Sequence, residues 1–233
     1  MNTPAPAILG IDTATSAAAV AVCRDGALVA ERAGAPGPDG RPRHAATLLG
    51  EVADAVAAAG GWDEIGLIAV GVGPGTFTGL RIGIATARGL AQARDLPLAA
   101  VDSLAALARG IPGAPAQPRL AAVDARRGEL FAGLYEASGN TIWEPFVAAP
   151  AAVGKRLAEL DRSPLAAGDG SLRFRAQLEA AGAQVLPDAD PAHLVAARHV
   201  CALGAEAEPG RPEQISPIYL RRPDAEVWRE QRR

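Results

Sequence analysis

The chain has 233 residues, 49% hydrophobic and 21% charged, which suffices for one large or two small domains with a sizeable core. With a net charge of −3 and a pI near 5.7 no basic field covers the protein as a whole, which lends autonomous nucleic-acid binding little support. The opening MNTPAPAILG has no basic leader and no apolar run reaches the roughly 18 residues of a membrane span, so the expected location is the cytoplasm, away from membranes. Cys23 and Cys201 lack ligand spacing and sit in apolar surroundings, as buried, reduced thiols would.

Ile8 to Val22 reads as strand, polar turn at Asp12, Thr13, Thr15 and Ser16, and second strand; Arg24-Asp25-Gly26 then signals a hairpin into a third strand, Ala27 to Arg32. Gly34 to Arg43 alternates proline and glycine and is expected to be a mobile loop. From His44 to Ala59, Leu48, Leu49, Val52 and Val56 recur at helical spacing. Leu67 to Val72 is a continuous apolar run, the pattern of a parallel strand buried on both faces. At its end Pro74-Gly75 is expected to turn the chain, with the positive φ at Gly75, and Thr76 or Thr78 to cap a helix running to Asp95. Along that helix Gly79, Gly83, Ala87 and Ala91 recur every fourth residue, a smooth stripe that another helix could approach closely, despite the helix cost of glycine. Leu96 to Val101 forms a further strand, and Asp102-Ser103 caps a helix to Arg109.

Ile111 to Pro118, with three prolines, reads as a linker. Beyond it Arg119 to Tyr135 repeats the opening order of strand, aspartate (Asp124), polar turn and strand, where a duplicated half would start. The second half is expected to continue with a helix at Ala151 to Leu160, a strand from Leu165, the loop Gly168-Asp169-Gly170, a helix from Ser171 to Ala181, a strand at Gln184 to Leu186 and a helix from Pro191 to Glu206. The reading therefore gives an α/β chain of two related halves, 1–110 and a smaller 119–220, with a charged, flexible tail at 221–233.

Asp12 and Asp124 each end a first strand beside a turn. A carboxylate there can hold magnesium through water while turn N–H groups meet phosphate, or it can satisfy its own backbone in an Asx-turn. The glycine-rich stretch after Val72 fits neither GxxxxGK[ST] nor GxGxxG. His44, His193 and His199 have no metal spacing and are expected at the surface or at caps; Ser16, Ser103 and Ser171 lack a nucleophile-elbow setting.

With these residues assembled, the chain resembles the TsaB (YeaZ) family, the smaller paralogues of the TsaD/Kae1 glycoprotease-like proteins. The resemblance rests on ILGIDTAT at 8–15, GVGPGTFTGLRIGIATARGLA at 71–91, VDSLAALA at 101–108, VDARRGELF at 123–131 and PIYLR at 217–221, in that order over nearly the whole chain. It implies an actin-like (ASKHA, ribonuclease H-like) fold, each half a mixed sheet flanked by helices. It also implies a non-catalytic subunit required for threonylcarbamoyladenosine formation in tRNA, binding and activating TsaD, which transfers threonylcarbamoyl from threonylcarbamoyl-AMP to adenosine beside the anticodon. No cofactor of its own is implied, since ATP and a metal act in the partner subunits. The implied partners are a TsaD homologue, a TsaE homologue in a larger complex, tRNA through that complex, and a second copy when the chain is alone. The TsaD metal helix opens like V-N-H-x-x-G-H, and its two histidines fall here at Ser103 and Leu107, so neither a TsaD-like metal site nor the protease label is expected. Family members pair through their first two helices, which makes Leu48, Val52, Gly79, Leu80, Gly83, Ile84 and Ala87 the expected partner interface; the alternative is that both helices pack only against their own sheet. Asp12, Thr13 and Thr15 would form a vestigial phosphate site. The competing functional reading is an actin-like ATPase or phosphotransferase with its own nucleotide site at Asp12.

Overall fold

The computed structural model describes residues 5–34 and 42–221. Most of the expected mobile loop, residues 35–41, and the tail from 222 onward lie outside the described residues.

Two five-stranded sheets have the same design. In the first, β1 (Ala7–Asp12), β2 (Ala18–Arg24) and β3 (Ala27–Gly34) form an antiparallel meander, and β4 (Ile65–Gly73) and β5 (Leu98–Asp102) add in parallel on the other side of β1. The second repeats this with β6 (Arg119–Arg126), β7 (Glu129–Tyr135) and β8 (Thr141–Ala148) antiparallel and β9 (Leu165–Ala167) and β10 (Gln184–Val185) parallel. The strand orders, β3-β2-β1-β4-β5 and β8-β7-β6-β9-β10, are the same, so the recurrence around Asp12 and Asp124 marks a structural duplication. β8 has no sequence-based counterpart above. Pro145 interrupts its alternation, which is tolerated because β8 is an edge strand.

Helices α1 (His44–Ala58) and α2 (Phe77–Arg94) cover one face of the first sheet. Its other face packs on α3 (Ser103–Arg109) and α7 (Ala197–Glu206), and α3 also touches β6 and β7 of the second sheet. The outer face of the second sheet is covered by α4 (Pro150–Leu157) and α6 (Arg175–Ala180). The expected helix at 171–181 is instead α5 (Asp169–Arg173) and α6, separated at Phe174, whose φ of −112° and ψ of 26° leave the helical region. The expected helix from Pro191 is a single turn, Pro191–His193, after which the backbone extends and restarts as α7. Because α7 lies on β1, β2 and β4, and Ile215 joins the core under α1 and α2, the last part of the 119–220 stretch packs with the first sheet.

The two halves are tied by a buried polar contact. Asp102 caps α3 by accepting from Leu104 N at 2.8 Å and takes the Tyr135 hydroxyl of β7 at 2.9 Å. Burial raises the pKa of both groups, and the neighbouring Asp102 carboxyl raises that of Tyr135 further.

Candidate functional site

In open α/β sheets ligands sit beyond the carboxyl ends of the parallel strands. Here that position is occupied by Asp12 at the end of β1, Gly71–Gly73 at the end of β4 and Ser103 at the start of α3. Asp12 is 1% exposed, and both of its oxygens are engaged. Oδ2 accepts from the Ser103 hydroxyl at 2.6 Å and Oδ1 from Ala14 N at 2.8 Å, the Asx-turn. Ser103 Oγ in turn accepts from Gly73 N at 3.3 Å, so a closed polar chain joins β1, α3 and β4. Thr13 donates to Gly79 O at 2.8 Å, and Thr15, 5% exposed, presents its carbonyl to His44 Nε2 at 2.9 Å. The residues expected to form a vestigial phosphate site are thus brought together, but as an internal network whose groups face one another.

Burial raises the Asp12 pKa, with the hydrogen bonds from Ser103 and Ala14 and the nearby His44 opposing it. A carboxyl whose folded pKa lies above its unfolded value binds its proton more tightly when folded. Its contribution is therefore fully present below the ordinary 3.8 and is lost as pH rises through the raised value. Asp12→Asn keeps the shape and cannot ionise, so its unfolding free energy by urea titration is expected to fall less than that of the parent between about pH 4 and 7. An equal fall in both proteins would contradict this.

The glycine-rich turn differs from expectation in detail. The left-handed residue is Gly73, φ +106°, not Gly75, and Thr76 stands at the cap position of α2 without a side-chain hydrogen bond. The small-residue stripe of α2 does not point outward. A Cβ on Gly79 would collide with the Thr13 carbonyl oxygen and one on Gly83 with Thr13 Oγ1, so the stripe exists to seat α2 on the β1–β2 turn of its own half. Leu48, Val52, Leu80, Ile84 and Ala87 are all 3% exposed or less and belong to the core between α1, α2 and the first sheet. All seven residues expected at the partner interface are therefore interior, as the own-sheet alternative requires. The outward side of the pair carries Leu49 at 64% exposure on α1 and Phe77 at 37% on α2, with Ala45, Ala53, Arg81, Ala85 and Gly89 also exposed.

The PIYLR segment runs along the edge of this region. Ile218 N donates to Val72 O at 2.8 Å, Tyr219 packs on Phe77 with ring centres 5.3 Å apart, and the Tyr219 oxygen accepts from Arg81 Nε at 3.0 Å. Leu220 joins the core shared by both halves, and Arg221 reaches Glu129 of β7 at 3.3 Å. Composition gave no sign of this strap; its only signal is the short apolar motif itself.

At the equivalent place in the second half, Asp124 Oδ1 accepts from Arg126 N at 2.8 Å, again an Asx-turn, while Oδ2 takes Arg126 Nη1 at 3.2 Å and Arg173 Nη1 at 2.7 Å. Asp169 accepts from Asp124 N at 2.9 Å, and burial raises its pKa. His44 and His193 are buried, contrary to expectation: turn carbonyls need donors, and His193 accepts from Gly168 N at 3.1 Å and meets Pro187 O at 3.0 Å. Cys23 and Cys201 are buried as expected, in one cluster between β2 and α7. Among the described residues no three His, Cys, Asp or Glu side chains are grouped to hold a metal ion, and no helix is long and apolar enough to cross a membrane.

Two mixed sheets of the same strand order, each with an aspartate near the end of its first strand, make the actin-like (ASKHA) fold, and ROK hexokinase of Thermus thermophilus shares it at a TM-score of 0.52 and 14% identity, covering 86% of this chain and 99% of its own. The sequence profile described as "TsaD: tRNA N6-adenosine threonylcarbamoyltransferase" matches residues 39–182. The tRNA threonylcarbamoyladenosine biosynthesis protein TsaB of Escherichia coli (strain K12) is 34% identical over 223 residues, 92% of this chain and 94% of that protein. The structure of YeaZ from Pseudomonas aeruginosa superimposes at a TM-score of 0.76 with 30% identity, covering 92% of this chain and all of the other. The chain belongs to the TsaB (YeaZ) family.

Proposed function

We propose that the chain is a non-catalytic subunit in tRNA threonylcarbamoyladenosine biosynthesis, acting in the cytoplasm by docking on and activating a TsaD-type transferase. The name carried by its E. coli relative supports the pathway, and the match to the TsaD profile supports kinship with the enzyme it serves. The observation that carries the non-catalytic part is the state of the two positions where the TsaD pattern has metal-binding histidines. Ser103 spends its hydroxyl on Asp12 and Leu107 is 1% exposed in the core, so neither offers a ligand. With both Asp12 oxygens occupied inside the fold, the ATPase reading has no open carboxylate for metal-bound water.

The docking surface is assigned to the outer faces of α1 and α2, where Ala45, Leu49 and Ala53, and Arg81, Ala85 and Gly89, recur every fourth residue. Small residues on such a stripe let helices approach, and Leu49 supplies an apolar anchor. The same face serves a second copy when the transferase is absent, since a two-fold pairing uses one patch twice. The TsaE homologue and tRNA join through the complex. Reconstitution tests the proposal: threonylcarbamoyl transfer to unmodified tRNA by the TsaD and TsaE homologues of the same organism is expected to depend on the chain. Equal transfer without it would overturn the reading.

A further inference from the structure

The geometry points to a phosphate-binding site on the β6–β7 hairpin, formed by Arg126 and Arg173 and taking a backbone phosphate of RNA. This rests on the reading of the chain as a subunit of a tRNA-modifying assembly, and it assigns the chain its own contact with the nucleic acid.

Two guanidinium groups converge on one oxygen of Asp124, whose side chain is only 6% exposed, while Arg126 and Arg173 are 63% and 47% exposed. Each spends one nitrogen on the buried carboxylate. The remaining donors of each planar fork are held in a fixed direction at the surface, the preorganisation that makes arginine suited to phosphate. One carboxylate, Asp124, backs two guanidinium groups, and burial raises the pKa of the neighbouring Asp169.

The backbone fixes where the side chains start. Arg126 and Arg127 have φ of 64° and 55°, followed by Gly128 at 79°, the left-handed positions of a tight bulged hairpin, where glycine or asparagine costs less than arginine. The exposure of the pair selects between sources of phosphate. Both guanidinium groups stand half-exposed or more on the hairpin, and the nearby strap already joins β4 to β7, with Ile218 N on Val72 O and Arg221 on Glu129. An exposed pair of forks suits the phosphates of a polymer backbone, which need no nucleoside pocket.

The test is fluorescence anisotropy of a labelled, unmodified tRNA transcript against the full chain over roughly 50 to 200 mM salt. Arg126→Gly is expected to bind about fivefold more weakly with a salt slope shallower by about 1. Its melting temperature should stay within about 3 °C of the parent, since glycine relieves the left-handed residue while one ion pair is lost. Arg173→Gln should weaken binding in the same direction, and Arg162→Ala, whose guanidinium meets Ala116 O elsewhere, should change nothing. ATP should displace the RNA no better than inorganic phosphate. Absence of binding by the parent, an equal loss in Arg162→Ala, unchanged binding by both hairpin variants, or preferential displacement by ATP would each overturn the site. The measurement uses the chain alone. A transferase complex without RNA binding therefore defeats only this inference, and RNA binding without a complex defeats only the partner reading.

Discussion

Replacing Gly79 with alanine is expected to destabilise the protein by about 3 kcal/mol or more, seen as a fall of roughly 6 to 12 °C in melting temperature. The added methyl would overlap the carbonyl oxygen of Thr13. That oxygen is backbone, and the turn that carries it is fixed on one side by the Thr13 hydroxyl donating to Gly79 O at 2.8 Å and on the other by Ala14 N on Asp12. Neither α2 nor the turn can retreat without breaking these bonds, and Leu80, fully buried beside the site, leaves no room to rotate the helix. Helix propensity favours alanine over glycine by about 1 kcal/mol, so a gain in stability would show that propensity, not packing, rules the position. For the same reason Gly83→Glu cannot probe a partner surface. Its side chain would first have to displace Thr13 from within the monomer.

The surface prediction has the opposite signature. Leu49→Asp should leave melting within about 0.5 kcal/mol of the parent, because the side chain is 64% exposed, and should weaken binding to the TsaD homologue by more than about tenfold. An aspartate there must be desolvated against an apolar partner, whereas in the free chain it stays in water. Scanning calorimetry checks the first half of the statement and titration calorimetry the second. Affinity equal to the parent's would move the docking face off α1.

Much of the architecture was legible because the two sheets obey simple periodicities. The apolar run of Leu67 to Val72 reads as a doubly covered parallel strand and is one, and the recurrence at Asp124 reports a repeated meander. What failed has particular causes. Pro145 hid β8, and Phe174 broke a helix whose apolar spacing runs straight through it. The α2 stripe was recognised as a packing surface but given the wrong neighbour: periodicity reveals that one face of a helix is small, and only the fold says whether a partner or the chain's own turn lies against it. The histidines were misplaced for a related reason. The carbonyls of Thr15, Leu186 and Pro187 that attract them become unpaired only once the turns exist. At the two aspartates the sequence offered both a ligand site and an Asx-turn, and the backbone bonds from Ala14 and Arg126 are those of the turn.

Asp12 joins β1, α3 and β4 through its hydrogen bonds, and on the proposed function it takes no part in the transfer itself. The most direct test of this is the rate of threonylcarbamoyl transfer to tRNA by the reconstituted assembly containing Asp12→Asn in place of the parent chain, with complex formation checked by light scattering. The expected result is an intact complex and a transfer rate within about twofold of the parent's, since asparagine keeps the bond from Ala14 and the contact with Ser103. An intact complex whose transfer drops to background would return Asp12 to the reaction.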